Sequence, residues 1–191
     1  MPIACNDVYK AVKERNWPIH ETWQLVQEST AQGAHPEVHV AHLADISDAD
    51  LHFRTQTDFQ GNEYRDRGRH SMFRNYWEAA GAICLGMNTP AGEAALLAIQ
   101  AGGRVALKSR SAVAGGVQAL ERLQIAVHGT VTGVSFFDLP AEFAMIILDC
   151  SGGFLILRTA YPSRGASDAP PAGEDSVKKG GTVSSYPAKV F

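Results

Sequence analysis

The chain has 191 residues, 45% of them hydrophobic, and its 17 basic against 20 acidic side chains leave a net charge of −3. That is enough apolar material for one domain with a buried core, and too acidic a balance for a protein that grips duplex nucleic acid through an overall basic surface. A local basic cleft stays open.

The first elements read as helices. The segment "NDVYKAVKERNW" caps at Asn6 or Asp7 and sets Val8 and Val12 four apart. After Pro18, "IHETWQLVQEST" sets Ile19, Trp23 and Val26 at helical spacing, so both segments offer a face to a core. "QGAHPEVH" interrupts this pattern. "SDADLHFRTQTDF" starts another helix at Ser47, its first-turn acids favoured by the helix dipole. The loop "QGNEYRDRGR" follows, and from Ser71 onward Phe73, Trp77, Ala80 and Cys84 recur at the spacing of one helical face. "NTPAGEAALLAIQAGG" predicts a helix capped by Thr89, with Pro90 in its first turn and Gly102–Gly103 as its stop.

Beyond residue 104 the period turns extended. "RVALK" predicts a short strand, "SAVAGGVQALERL" one more helix weakened by its glycine pair, and "IAVHGTVTGVSFF" one or two strands. "AMIILDCSGGFLILRTAY" is two apolar runs about a tight-turn Ser151–Gly152–Gly153, which predicts a hairpin of central strands. From about residue 163 to 191 the chain is rich in Pro, Gly, Ser and charge and has too little apolar surface to offset its ordering entropy. The expectation there is a tail or linker that docks only through Tyr186, Val190 and Phe191. Residues 1–162 are then a single α+β domain, its helical N-terminal half packed on one side of a C-terminal antiparallel sheet of about four strands.

Cys5, Cys84 and Cys150 are odd in number and widely spaced, which predicts free buried thiols. No segment reaches about 18 apolar residues, and "MPIACNDVYK" carries no apolar run behind a basic start. The expectation is a protein without membrane contact, cytoplasmic or secreted into a target cell without a cleaved signal peptide.

Two polar clusters carry possible chemistry. His35, His39 and His42 in "HPEVHVAH" are spaced four and three apart and would share a helix face able to hold zinc or iron. Pro36 biases His35 away from helical geometry, and no "HExxH" arrangement accompanies the three, so the reading without a metal is preferred. In "EYRDRGRHSMFRN", Arg65, Arg67, Arg69 and Arg74 lie beside Glu63 and Asp66. Guanidinium forks match phosphate oxygens even in a weak net field. His70, placed at a helix start, is a candidate general base or acid near neutral pH. Lys108, at the end of a strand, is a second cationic candidate. In the extended run after the turn, Thr159 and Tyr161 share one face and Arg158 points away unless a bulge intervenes.

"FAMIILDCSGGFLILRTAYPS", residues 143–163, resembles the closing hairpin of the barnase, EndoU, colicin-type and RelE ribonuclease superfamily, many of whose members are bacterial or phage toxins. "RTAY" is similar to the Thr or Ser followed by an aromatic residue that ends a late strand near their active site. The resemblance implies a metal-independent, cofactor-free endoribonuclease acting on single-stranded RNA by 2′-hydroxyl attack, and a cognate immunity protein with an acidic surface. His70 would move a proton, and Arg67 or Lys108 would stabilise the phosphate. Arg65, Arg69 and Arg158 would bind substrate, Thr159 and Tyr161 would position the nucleotide, and Tyr64 or Tyr161 would stack on a base. Two rivals remain: a non-enzymatic immunity or phage accessory protein that binds a partner through Phe73, Tyr76 and Trp77, and a metal-dependent hydrolase built on the histidine cluster. Oligomeric state is not legible.

Overall fold

A computed structural model describes residues 2–32, 34, 70–127, 130–164 and 169–189, with only the backbone at 70–72, 119–127 and 130–138. Helices α1 (Cys5–Lys13), α2 (Ile19–Ala31), α3 (Tyr76–Met87) and α4 (Pro90–Gln100) are followed by strands β2 (Val105–Ser109) and β5 (Phe143–Ser151) to β8. The remaining three are β6 (Phe154–Ser163), β7 (Glu174–Lys179) and β8 (Thr182–Pro187). These five strands form an antiparallel sheet in the order β6-β5-β2-β7-β8, and the fold is α+β as expected. A second, three-stranded sheet takes β1 (His70–Phe73), β3 (Gln118–Val127) and β4 (Thr130–Pro140) in the order β1-β3-β4.

The local chemistry explains most boundaries. Thr89 accepts the Gly92 amide at 3.0 Å and Pro90 occupies the first turn of α4, as predicted. Asn75 caps α3 by accepting the Glu78 amide at 2.8 Å. Helix α1 opens instead on Ala4, with no side-chain cap at all. Ser151 and Phe154 pair across Gly152 and Gly153, at φ 58° and 84°, the two left-handed positions of a tight hairpin turn.

The helices cover one face of the five-stranded sheet. Val105 and Leu107 of β2, Ala144, Ile146 and Leu148 of β5, Leu155, Leu157 and Ala160 of β6 and Val177 of β7 all enter one core. Val8, Val12, Leu25, Ile83, Met87, Leu96 and Ile99 meet them from the helices. Each such side chain contributes about 1.5–3 kcal/mol when fully buried. Between α1 and α2 the chain is tied to α3, because Asn88 Nδ2 donates to the Trp17 carbonyl at 2.7 Å while its Oδ1 accepts the Trp17 amide at 3.0 Å.

Several expectations are corrected. The helix predicted from Ser71 begins at Tyr76, and His70–Phe73 is a strand paired with β3, so strand structure does precede residue 104. Phe73 is fully buried, and Trp77, its expected neighbour on a helical face, is 67% exposed. The spacing of four apolar residues imitated a helical stripe because α3, buried on much of its circumference, needs no narrow one. "SAVAGGVQALERL" is a short 3-10 turn at Ser111–Val113 followed by β3, since Gly116 at φ 83° halts helical geometry and ladder bonds to β1 and β4 replace helical ones. Strand β6 is an edge of its sheet rather than central.

The expected tail is corrected over its described part, residues 169–189. There β7 pairs with β2 and β8 pairs with β7. Backbone ladder bonds and polar contacts hold this hairpin, together with Val177 in the core and Tyr186 against it. Arg110 Nη2 donates to the Pro170 carbonyl at 2.7 Å and its Nε to that of Pro171 at 3.0 Å. Asp175, fully buried, accepts the Ser111 amide at 3.1 Å and the Ser111 hydroxyl at 2.7 Å. Tyr186 packs against the core, as expected, whereas Val190 and Phe191 lie outside the described residues.

The expectation of free cysteines holds for Cys84 alone. Cys5 and Cys150 form a disulfide with Cα atoms 6.7 Å apart across 145 residues of sequence, fastening α1 to the β5–β6 hairpin. Spacing along the chain carries no information about so distant a pairing.

Two outcomes follow. In denaturant, thiol titration should find one reactive cysteine before reduction and three after, and reduction should lower unfolding stability by about 2–4 kcal/mol. Asp175→Ala, which strands both Ser111 donors, should lower the urea unfolding free energy by roughly 2–4 kcal/mol.

Candidate functional site

The face of the five-stranded sheet opposite the helices gathers three of the four candidates for catalysis. Lys108 pairs with Met145, and Met145 pairs in turn with Tyr161. Directly opposed residues share a face, so Lys108 and Tyr161 flank Met145 in one cross-strand row, about 9–10 Å apart between Cα atoms. Ser176 continues the row on the other side of Lys108, and Ser185 lies beyond it. The next row runs Thr159, Ile147, Ala106, Lys178 and Val183. Thr159 therefore stands beside Tyr161 on the same strand and face.

A bulge makes this possible. The β5–β6 register shifts between Ile147 and Leu148, which oppose Thr159 and Leu157 and leave Arg158 as the extra residue. Before the shift Leu155 and Leu157 face the helical core; after it Ala160 does. Thr159 and Tyr161 still share a face, as expected, but it is the face of Ile156 rather than that of the two leucines. An unbulged strand would have turned both hydroxyls into the core.

Arg158, expected to bind substrate, is occupied within the fold. Its Nη2 and Nε donate to Asp149 Oδ2 at 2.9 and 3.1 Å, and Arg104 Nε lies 3.7 Å from the same oxygen. Asp149 was missed at the sequence level because nothing local marks it as the partner of an arginine across a turn. Met145 and Ser176 were missed too; each enters only through cross-strand register.

Thr159 has a further property. Its Oγ1 is buried and has no hydrogen-bond partner among the described residues. Buried hydroxyls are nearly always satisfied; the other buried side-chain atom without a partner among the described residues is the Trp17 indole Nε1, in the helical layer.

Strand β1 lies against β6, which brings the His70 backbone into the neighbourhood of the strand carrying Thr159 and Tyr161. The His70 backbone pairs with Arg122 of β3. Arg65, Arg67, Arg69 and Tyr64 lie outside the described residues, as does the histidine cluster His35, His39 and His42. Among the described residues no cluster of three His, Cys, Asp or Glu side chains could hold a metal ion, and no single helix is long and apolar enough to cross a membrane.

Cys84 belongs to the helical layer. Its thiol donates to the Trp17 carbonyl at 3.2 Å. Burial pushes its pKa up, against the opposing effect of hydrogen bonds with Thr22 and Asn88. The thiolate, the nucleophilic form, is thereby disfavoured near neutral pH.

No protein-family model matches the chain, and neither does any curated protein or solved structure.

Alkylation checks the cysteine. At about pH 8 Cys84 in the folded protein should react with iodoacetamide at least about tenfold more slowly than in denaturant, and the rate should still be climbing above about pH 9. A plateau below that pH would contradict a raised pKa.

Proposed function

We propose that this protein is a metal-independent endoribonuclease of the toxin or effector kind, acting on single-stranded RNA. The observation that carries the reading is the buried Thr159 hydroxyl, without a partner among the described residues, on the sheet face it shares with Tyr161 and Lys108. Two hydroxyls and an ammonium on one face suit the anionic oxygens of a phosphodiester, whose charge grows in the transition state. The resemblance of the "RTAY" strand to the closing strand of the ribonuclease superfamily supports the same reading, as does the α+β arrangement around it.

In this reaction the ribose 2′-oxygen attacks the adjacent phosphorus. The O2′–P bond forms, the P–O5′ bond breaks, and a 2′,3′-cyclic phosphate and a 5′-hydroxyl result. A base takes the 2′-hydroxyl proton and an acid returns one to O5′. His70 is assigned one of these transfers because β1 lies against β6. Lys108 meets charge on the phosphoryl oxygens, while Thr159 and Tyr161 hold the scissile nucleotide. Arg65, Arg67 and Arg69 are assigned to the flanking phosphates, and the Arg158–Asp149 pair is assigned to holding the bulge rather than substrate. A nuclease of this kind calls for an immunity protein with acidic groups over the basic part of the cleft. The Cys5–Cys150 disulfide fits a protein that passes through an oxidising compartment.

A second reading rests on a separate observation. Trp77 is 67% exposed and stacks on Trp23, with ring centroids 5.9 Å apart, while Tyr76 meets Trp23 edge-on at 4.9 Å. Exposed, ordered aromatics of this sort anchor protein interfaces, which favours a binding protein without enzymatic activity. Phe73 takes no part in such a face because it is buried.

Purified protein incubated with a fluorogenic single-stranded oligoribonucleotide in EDTA should cleave it and leave a cyclic phosphate, and should spare the 2′-deoxy analogue. Thr159→Val and Tyr161→Phe should each reduce the rate by about 10–1,000-fold with the fold intact, and His70→Ala by about 100–10,000-fold. If alanine at His35, His39 or His42 abolishes cleavage and His70→Ala does not, the proton transfer belongs to that histidine instead. No cleavage of any RNA, with Trp77→Ala disrupting capture of a partner, would favour the binding protein.

A further inference from the structure

The two edges of the five-stranded sheet are treated very differently. At β6 the outward amides are taken: Leu155 donates to the Ile3 carbonyl at 2.8 Å and Leu157 to Ser29 Oγ at 2.9 Å. The start of the chain is bridged and bonded there, with Cys5 donating to the Gly153 carbonyl at 2.9 Å and Ala4 paired with Phe154. At β8 nothing comparable occurs among the described residues. The strand pairs with β7 only, and the chain after it turns back, Ala188 donating to the Gly173 carbonyl and Lys189 to Ser111 Oγ, each at 2.8 Å. Every residue from Thr182 to Ser185 is exposed, Val183 at 59%.

Proteins usually protect such an edge with charge, a bulge or a covering loop. "TVSSYP" carries no charged residue, and its register with β7 runs without a shift from Thr182 to Pro187. A regular edge free of charge is a template for another strand.

We propose that β8 is a homodimerisation edge, on which a second copy of this chain adds its own β8 antiparallel. The absence of charge permits a second copy, because two identical strands then approach without self-repulsion, and strand pairing about a twofold axis keeps their faces matched. A twofold axis normal to the sheet must pair residues on matching faces. Centred on Ser184, it sets Ser184 against Ser184, Val183 against Ser185 and Thr182 against Tyr186 of the other copy. Pro187, which has no amide hydrogen, ends the pairing. Five residues per strand bury less than the roughly 1,200 Å² of a stable specific interface, so the dimer is a reversible one. The proposal does not rest on the nuclease reading.

Light scattering after size exclusion tests it on the full chain with its disulfide intact. The average mass should rise from 20.5 kDa towards twice that value as concentration increases. Val183→Lys/Ser185→Lys sets lysines opposite each other across the axis, and should weaken the dimer by at least about tenfold while leaving the melting temperature unchanged at concentrations where both proteins are monomeric. Val183→Glu/Ser185→Glu should do the same, and an equimolar mixture of the two should dimerise again. A 20.5 kDa mass at every concentration, or a dimer that the lysine variant leaves intact, would overturn the proposal. A lost dimer that the mixture fails to restore would refute the strand register.

Discussion

A strand turns alternate side chains to opposite faces, and the two sides of this protein follow from helices covering only one face of the five-stranded sheet. On the covered side, Leu107, Ile146, Leu148 and Leu157 meet Leu25, Ile83 and Leu96 in a single apolar core. On the other side the same strands present Lys108, Thr159, Tyr161, Ser176 and Lys178. The bulge at Arg158 is the point where this division is adjusted. It lets β6 contribute two leucines to the helical core before it and two hydroxyls to the opposite face after it. Asp149 holds the guanidinium of the extra residue, so the ion pair and the change of face belong to one structural device.

Closure of the fold depends on contacts between distant parts of the chain. Cys5 is joined to Cys150, and Ser111 donates to Asp175 while its hydroxyl oxygen accepts the Lys189 amide. Arg110 grips the carbonyls that lead into β7. The consequence is that β2, early in the sheet region by sequence, is its middle strand in space. Its ladder is complete only when β5 and β7 have both arrived. Pairings of such separation are entropically expensive to form and are typical of slower-folding topologies.

The chemistry proposed for the sheet face opposite the helices and the exposed Trp77, stacked on the half-buried Trp23, sit on different layers. The hydroxyl and ammonium groups are fixed by sheet register, whereas Trp77 is fixed by stacking on Trp23 at the helical surface. The proposed nuclease reading draws on the first and the alternative binding reading on the second.

The Thr89 cap and the hairpin turn were legible in the sequence because they depend on residues a few positions apart, Thr89 with Pro90 and Gly152 with Gly153, whereas the cap expected for α1 at Asn6 or Asp7 was not found. The succession of helices followed by an antiparallel sheet was legible for the same reason, as was the side-by-side placement of Thr159 and Tyr161. Strand β1, strand β3 and the β7–β8 hairpin were not, because their stability comes from ladder bonds to distant partners rather than from their own apolar pattern. The sequence by itself determined the fold class and the identity of the paired hydroxyls. Only the tertiary structure decided that Lys108 stands in their face, that Arg158 is spent on Asp149 and that Cys5 meets Cys150, since cross-strand register and long-range closure leave no periodic trace along the chain.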